Sequence, residues 1–365
     1  MILLFINPKL FYRFLTNLYH KVASFNNIKV VTVSEIVQQI IDSGAIYLVN
    51  PALIQTTVDD FLDKYGHLLD VIGLYAKGSN GFTFFPSNNA PKHPNLSIYF
   101  HSFCTIADNM GIKVDAFSHV HRDSFLVQNA DFRVQSSDGE KIDLFACPSH
   151  PYINQYNSAI VSEIVQYPVN KLVLDNILFA NLKACFCDRC RRLFAQRWNI
   201  ERDFSYDFLK SRDFFDNWVE FRTTLIENTL REITDSMKQI KNVDLAFVLK
   251  TDKETNYITG TEENFGQNIP NMLKITNNII IHVNPWTEIP SADSGDFQNL
   301  VNSLSPLLEL SKTGVEYSLL FWGINDKEKL DLALKLSENL NPNNTYIQDI
   351  KPTDFTKLRQ INLGF

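Results

Sequence analysis

The 365-residue sequence has no block of Lys and Arg, and its formal charge is −7. A surface that tracks phosphates needs clustered positive charge, so nucleic acid is excluded as an expected partner. No G-x-G-x-x-G follows a strand-like run and no G-x-x-x-x-G-K-[ST] occurs, which removes both common nucleotide-binding loops. The apolar N-terminal run, Met1 to Ile6, is cut short by Asn7 and Pro8. That is too short for a signal-peptide core with its cleavage site, and far too short to span a bilayer. The expectation is a cytoplasmic protein with no membrane partner. Cysteine is scarce as well, and five unevenly spaced residues do not read as a secreted disulfide framework.

What the chain does have is core-forming material: 45% of its side chains are hydrophobic and 21% charged, enough for one large core or two modest ones. Short β-branched runs alternate with longer segments of helical period. The strand candidates are AIYLV from Ala45, VIGLYA from Val71, IKVDAFS from Ile112, KLVLDN from Lys171, VDLAFVL from Val243, NIIIHV from Asn278, VEYSLLFW from Val315 and TYIQDI from Thr345. Between them lie helical stretches such as SIYFHSFCTIADNMG, YINQYNSAIVSEIVQY, the long NWVEFRTTLIENTLREITDSMKQIK and DKEKLDLALKLSENL. Eight strand–helix alternations predict a parallel α/β fold, most economically a single (β/α)8 TIM barrel over residues 1–365. A doubly wound sheet is the alternative. LLFIN and KVVTV, within the first forty residues, have no assigned place in this scheme.

In such a barrel the loops after the strands build the functional face. Several strand tips carry polar or aromatic groups: Asp175 after KLVL, Lys250 after LAFVL, His282 then Asn284 and Trp286 after III, and Trp322 after YSLLF. The third strand runs into SHVHRD, with His119, His121, Arg122 and Asp123. Tyr75, in the second strand, joins these as a candidate saccharide contact.

Three of the five cysteines crowd into CFCDRC, residues 185–190. C-x-C-x-x-C spacing brings Cys185, Cys187 and Cys190 around one small ion, and a tetrahedral structural zinc needs a fourth thiolate. Cys104 lies mid-helix and reads as a small buried hydrophobe. Cys147, in the long loop after the third strand, is the better fourth ligand, because loops after neighbouring barrel strands are adjacent. Four thiolates leave no open position for water, so such a zinc is structural rather than catalytic. Three buried or redox-active thiols are the plainer alternative.

The order CPSHP, a helix, a strand ending LDN, CFCDRCRRLF and then W-x-x-F-R at Trp218 to Arg222 resembles the zinc-bearing part of the barrel in family 42 β-galactosidases. The segment NADFRVQSSDGEKIDLFACPSHPYINQY is also similar to a wider group of glycosidase-like barrels. Together the likeness covers about residues 95 to 225. It implies a carbohydrate substrate, a structural zinc held by the four cysteines, and a homo-oligomer, the last weakened because the trimer-forming C-terminal domains of those enzymes have no counterpart here. The sequence departs from the family at the chemistry. Family members continue D-N-E after the fourth strand, the Glu being their acid/base, whereas here Asp175-Asn176 is followed by Ile177. Glu316 sits at the start, not the end, of the seventh strand. What the resemblance leaves is Asp175, placed where other barrel glycosidases carry a nucleophilic Asp.

Glycoside cleavage ordinarily uses two carboxylates flanking the bond, about 5 Å apart for retention and further for inversion. Asp175 is the first. Glu288, in a loop with Trp286, is the leading second; Asp252 and Asp326 are further candidates, although each precedes Lys-Glu and also reads as a helix N-cap. Two other readings stay open. His119-Val-His121, with His282 and Asp175, has the residue types of a barrel metallohydrolase. A barrel without the family acid/base can also bind a saccharide without cleaving it.

Overall fold

The computed structural model describes residues 33–54, 56–201, 203–211, 214–251, 261–283, 295–324 and 326–349. LLFIN lies outside the described residues, as does KVVTV up to residue 32; its final Val33 opens a helix, Val33–Asp42. Eight parallel strands close on themselves: β1 (Ile46–Val49), β2 (Val71–Lys77), β3 (Lys113–His119), β4 (Lys171–Asp175), β5 (Asp244–Lys250), β6 (Asn278–Val283), β7 (Glu316–Ile324) and β8 (Asn344–Asp349), each paired with its neighbours in chain order and β8 with β1. The fold is a (β/α)8 barrel, and all eight strands coincide with the apolar runs of the sequence. The four helical stretches named above form helices at Tyr99–Asn109, Pro151–Ile164, Phe215–Ile240 and Lys327–Leu340. No helix among the described residues is long and apolar enough to cross a membrane.

Register decides which side chains share the barrel interior, because partners across a parallel ladder point to the same face. Tyr75 pairs with Phe117, His119 with Asp175, Lys250 with His282, His282 with Leu320, and Trp322 with Gln348. Tyr75 Oη bonds Asp175 and Tyr346 Oη reaches Asp115 across the barrel at 2.7 Å, so this shared face is the inner one. A floor of rings, Tyr75 on Phe117 and Phe117 on Tyr346, fills the barrel below its C-terminal mouth. Gly73 belongs to the same face; a Cβ there would meet Leu48 Cδ1 at 2.9 Å, so glycine makes room for the packed interior.

The segment after β3 is not the plain loop that the sequence suggested. It folds into an antiparallel hairpin, Arg133–Gln135 with Lys141–Ala146, turned at Asp138-Gly139. Gly139 has φ +88°, the left-handed conformation that favours glycine, and the Asp-Gly dipeptide was the available signal for the turn.

Candidate functional site

Asp175 ends β4 and is nearly buried, its side chain 13% exposed. Its carboxylate accepts from Tyr75 Oη at 3.2 Å and from Asn176 Nδ2 at 3.0 Å, with His119 Nδ1 at 3.4 Å. Asn176 takes a left-handed φ of +53°, which Asn tolerates better than most residues. From there its amide also reaches His119 Nδ1 at 2.7 Å. One amide hydrogen goes to Asp175 and the other to His119, so His119 Nδ1 accepts and its proton sits on Nε2. The His119 ring stacks on Tyr75, centroids 5.0 Å apart. Burial first, and then the Asp175 charge and hydrogen bond, raise the Tyr75 hydroxyl well above its ordinary range, so it stays a donor.

Around this centre the register places Lys250, His282, Trp322 and Gln348. Lys250 Nζ lies 3.1 Å from His282 Nδ1. Gln267, fully buried, ties the loops together: its Oε1 accepts from Lys250 N at 2.9 Å, while its Nε2 donates to Val248 O at 2.9 Å and Ile177 O at 3.3 Å. Ile177 itself is wholly buried, so the position where family 42 carries its acid/base presents no polar group.

Sequence reasoning did not find Lys77. The β2–β3 register slips between Tyr75 and Lys77, which turns Lys77 under the segment after β3. There its ammonium meets Asp123 Oδ2 at 2.7 Å and donates to His119 O at 2.9 Å, with both side chains fully buried. Asp123 Oδ1 also accepts from the amides of Phe125 and Leu126. Asp123 is thus committed to structure, and a buried pair of this kind is strongly destabilised when one partner is removed.

The two histidines of H-x-H do not share a ligand position. β3 ends at His119, so strand alternation does not carry His121 onto the same face. His121 is fully buried and its Nδ1 accepts from Leu178 N at 3.2 Å. Among the described residues, the one His, Cys, Asp or Glu group that can hold a metal is the cysteine set, and it includes none of His119, His121, His282 and Asp175. Burial is the main cause that pushes His119 down to about 4 and His121 to about 3; it also lowers His282 well below the usual range, helped by Lys250 and Arg122. All three are neutral imidazoles at pH 7.

A pH dependence follows with a defined sign. The unfolded chain binds a proton at each histidine near its ordinary value of about 6.5, while the folded state resists until about 4 or 3. Their stabilisation is fully present above the unfolded value and is lost as pH falls from there toward the folded values. His119 and His121 together should weaken the fold by about 4 kcal/mol, as an order of magnitude, between pH 7 and pH 5. Urea unfolding at the two pH values measures this; an unchanged midpoint would show that the rings are not held neutral.

The four cysteines converge. Their sulfurs lie within 4.8 Å of one another, Cys147 Sγ being 3.7 Å from Cys187 Sγ and 3.4 Å from Cys190 Sγ. A tetrahedral ion with metal–sulfur bonds of about 2.3 Å separates its ligands by about 3.8 Å, so the set fits one metal ion. The hairpin brings them together: Cys147 follows its second strand, and Phe186 N donates to Gln135 O at 2.7 Å, docking CFCDRC on its first. Gln135 N points at Cys185 Sγ, and Ser149 Oγ contacts Cys147 and Cys190. Cys187 is the N-cap of the helix Asp188–Trp198, whose positive end favours a thiolate. Hydrogen bonds from Cys147, Cys185 and Cys190 lower the Cys187 thiol, while burial raises Cys185 and hydrogen bonding to Cys147 raises Cys190. Behind the cluster, Phe186 and Phe194 pack on Trp218 with centroids 4.6 and 5.1 Å apart. Burying such rings stabilises by roughly 1.5–3 kcal/mol each. Arg222, fully buried, donates to the carbonyls of Asn181, Glu263 and Asn264. Cys104 is buried in its helix as expected, and burial raises its thiol.

Of the remaining candidates, Asp252, Asn284, Trp286 and Glu288 lie outside the described residues. Asp326 is a helix N-cap, accepting from Lys329 N at 2.9 Å, and so is not placed as a second acid. Trp322 lies within β7, which continues to Ile324, rather than at its tip.

No family model matches the chain, and no curated protein matches it in sequence. Solved structures do resemble it. The glycoside hydrolase domain of PgaB (BpsB) from Bordetella bronchiseptica is 15% identical with a TM-score of 0.63, over 84% of this chain and 90% of that one. α-L-Fucosidase isoenzyme 2 from Paenibacillus thiaminolyticus is 15% identical with a TM-score of 0.57, over 83% of this chain but only 45% of its own. The catalytic domain of β-amylase from Paenibacillus polymyxa is 9% identical with a TM-score of 0.57, over 84% and 91%. At such identities the likeness establishes a shared barrel fold, and the family 42 resemblance rests on the sequence pattern of about residues 95 to 225, with the four cysteines as its specific element.

Proposed function

We propose that this barrel cleaves glycosidic bonds, with Asp175 as one of its two carboxylates. The observation that carries the reading is the setting of Asp175: the inner-face tip of β4, held by Tyr75 and Asn176, with the His119 ring beside it at the mouth. Tyr75, His119, Lys250, His282 and Trp322, with Asn284, Trp286 and Asp252, are assigned to substrate binding or to the walls of its site; His121, fully buried with its Nδ1 on Leu178 N, is assigned to supporting the loop behind them. Glu288 is assigned as the second carboxylate. The names of the three similar structures, all carbohydrate-active, support the substrate class. We further assign the metal of the cysteine set as a structural zinc, since four sulfurs fill a tetrahedral shell. A buried Ile177 in place of an acid favours a second reading, saccharide binding without cleavage.

A panel of aryl α- and β-glycosides and oligosaccharides, assayed at several pH values, separates the two. Turnover of any member supports cleavage; saturable binding without release of aglycone or reducing ends supports the second reading. Neither binding nor turnover would remove both.

A further inference from the structure

Asn176 has no role of its own in that reading, yet it joins two groups that do. Like Asn199 and Asn341 it has a left-handed φ, but those two cap helices, whereas Asn176 follows the end of β4. Glycine would take that conformation without strain, so the amide is what Asn adds there. The backbone around it is fixed to the segment after β3: Val120 N donates to Asp175 O at 2.8 Å and His121 N to Asn176 O at 3.1 Å, continuing the His119–Asp175 register beyond the strand ends. The side-chain atom held between Asp175 Oδ1 at 3.0 Å and His119 Nδ1 at 2.7 Å must be the nitrogen, because an amide oxygen there would set its lone pairs against those of the carboxylate. Both amide hydrogens are then spent, and His119 Nδ1 is kept as an acceptor. Without the amide the ring has another partner at hand: Asp175 Oδ2 lies 3.4 Å from the same Nδ1, and a carboxylate beside an imidazole draws the proton to the nitrogen that faces it.

We infer that Asn176 is a positioning residue: by bridging Asp175 and His119 it reserves Nε2–H of His119 as a donor beside the Asp175 acceptor, a pair that matches one sugar hydroxyl. This rests on the assignment of the mouth as a saccharide site. A hydroxyl both donates and accepts, so it can serve the two groups at once. With the tautomer reversed, Nε2 becomes an acceptor, and a hydroxyl with its single hydrogen satisfies one of the two and not the other. The His119 ring is stacked on Tyr75, which limits its rotation, so the tautomer rather than the orientation is what the amide controls. The other charges that act on the ring are Lys77, which donates to His119 O at 2.9 Å, Asp123, paired with Lys77, and Arg122. A change at Asn176 leaves all three in place.

The test begins with NMR of the full chain labelled with nitrogen-15 in histidine, His119 being assigned by the signal that His119→Gln lacks. In wild type the proton should sit on Nε2 and the ring should stay neutral down to about pH 5, above its lowered value of about 4. Asn176→Gly suits the left-handed backbone, and Asn176→Asp keeps the shape while reversing the polarity. In both, the proton should move to Nδ1 and the ring should titrate at least about one pH unit higher than in wild type. On the substrate that the panel identifies, kcat/KM should fall at least about tenfold at pH 8; for a saccharide bound without turnover, calorimetric affinity should fall by as much. The defect should shrink as pH drops through the His119 midpoint of each variant, because protonation restores Nε2–H. A purely structural role would leave the defect equal at every pH, and Tm reports whether each variant is folded. A wild-type proton on Nδ1, a tautomer unchanged in both variants, or a defect that does not vary with pH overturns the inference. A panel with neither binding nor turnover removes the saccharide site and the hydroxyl with it, while the ring signals show separately whether Asn176 sets the tautomer.

Discussion

Asp175→Asn is expected to reduce glycoside turnover by at least about 10³-fold, with KM changed by no more than a few fold. The substitution is nearly isosteric. The Asn carbonyl can still accept from Tyr75 Oη or from the Asn176 amide, so the ring stack of Tyr75 on His119 and the shape of the mouth should persist. What disappears is the ability to carry the charge or proton that every carboxylate mechanism for this bond requires. Both effects are read in one experiment, steady-state kinetics of wild type and variant on whichever substrate the panel identifies. Retention of more than a tenth of the wild-type kcat would move the chemistry away from Asp175. Loss of binding together with kcat would instead show that the residue supports the mouth, since truncating a binding contact raises KM where loss of a reacting group lowers kcat.

The second large effect concerns the cysteines. Purified protein should contain close to one zinc per chain, and Cys187→Ser should lose it, with Tm falling by roughly 5–10 °C, the shift that several kcal/mol produce in a domain of this size. The damage should be local at first. Limited proteolysis should cut the variant within the hairpin and the CFCDRC segment, because without the metal the segment after β3 is tied to the segment after β4 only by hydrogen bonds, those of the backbone and those of Arg189 to Ser149 O and Leu178 N to His121. Turnover measured well below the melting range should be reduced far less than in Asp175→Asn, because Cys187 makes no contact with the groups around Asp175. A folded, metal-free protein whose melting is indifferent to a chelator would show that the cluster is four packed thiols. The neighbouring rings make that outcome measurable: with Phe186 and Phe194 packed on Trp218, loosening of the segment should change tryptophan fluorescence before the barrel melts.

The eight strands were legible because each is a short apolar, mostly β-branched run, and the long helices because their apolar positions recur every three or four residues; both are local properties of the chain. The trio Cys185, Cys187 and Cys190 was legible for the same reason, being contiguous. The hairpin was missed although Asp138-Gly139 marks its turn, since its strands are short and one alternates irregularly. Three things no local pattern could fix. Strand pairing decides which alternate residues face inward, and a single register slip after Tyr75 takes Lys77 off that face and beneath His119. The end of β3 at His119 separates two histidines that the spacing H-x-H suggested would act together. Asn176, unremarkable in sequence, becomes the link between Asp175 and His119 only because a left-handed turn points it back. By itself, then, the sequence determined the barrel, the cysteine trio and the presence of an acid at the end of β4. The tertiary structure decided what surrounds that acid, because register and loop packing depend on contacts between residues far apart in the chain.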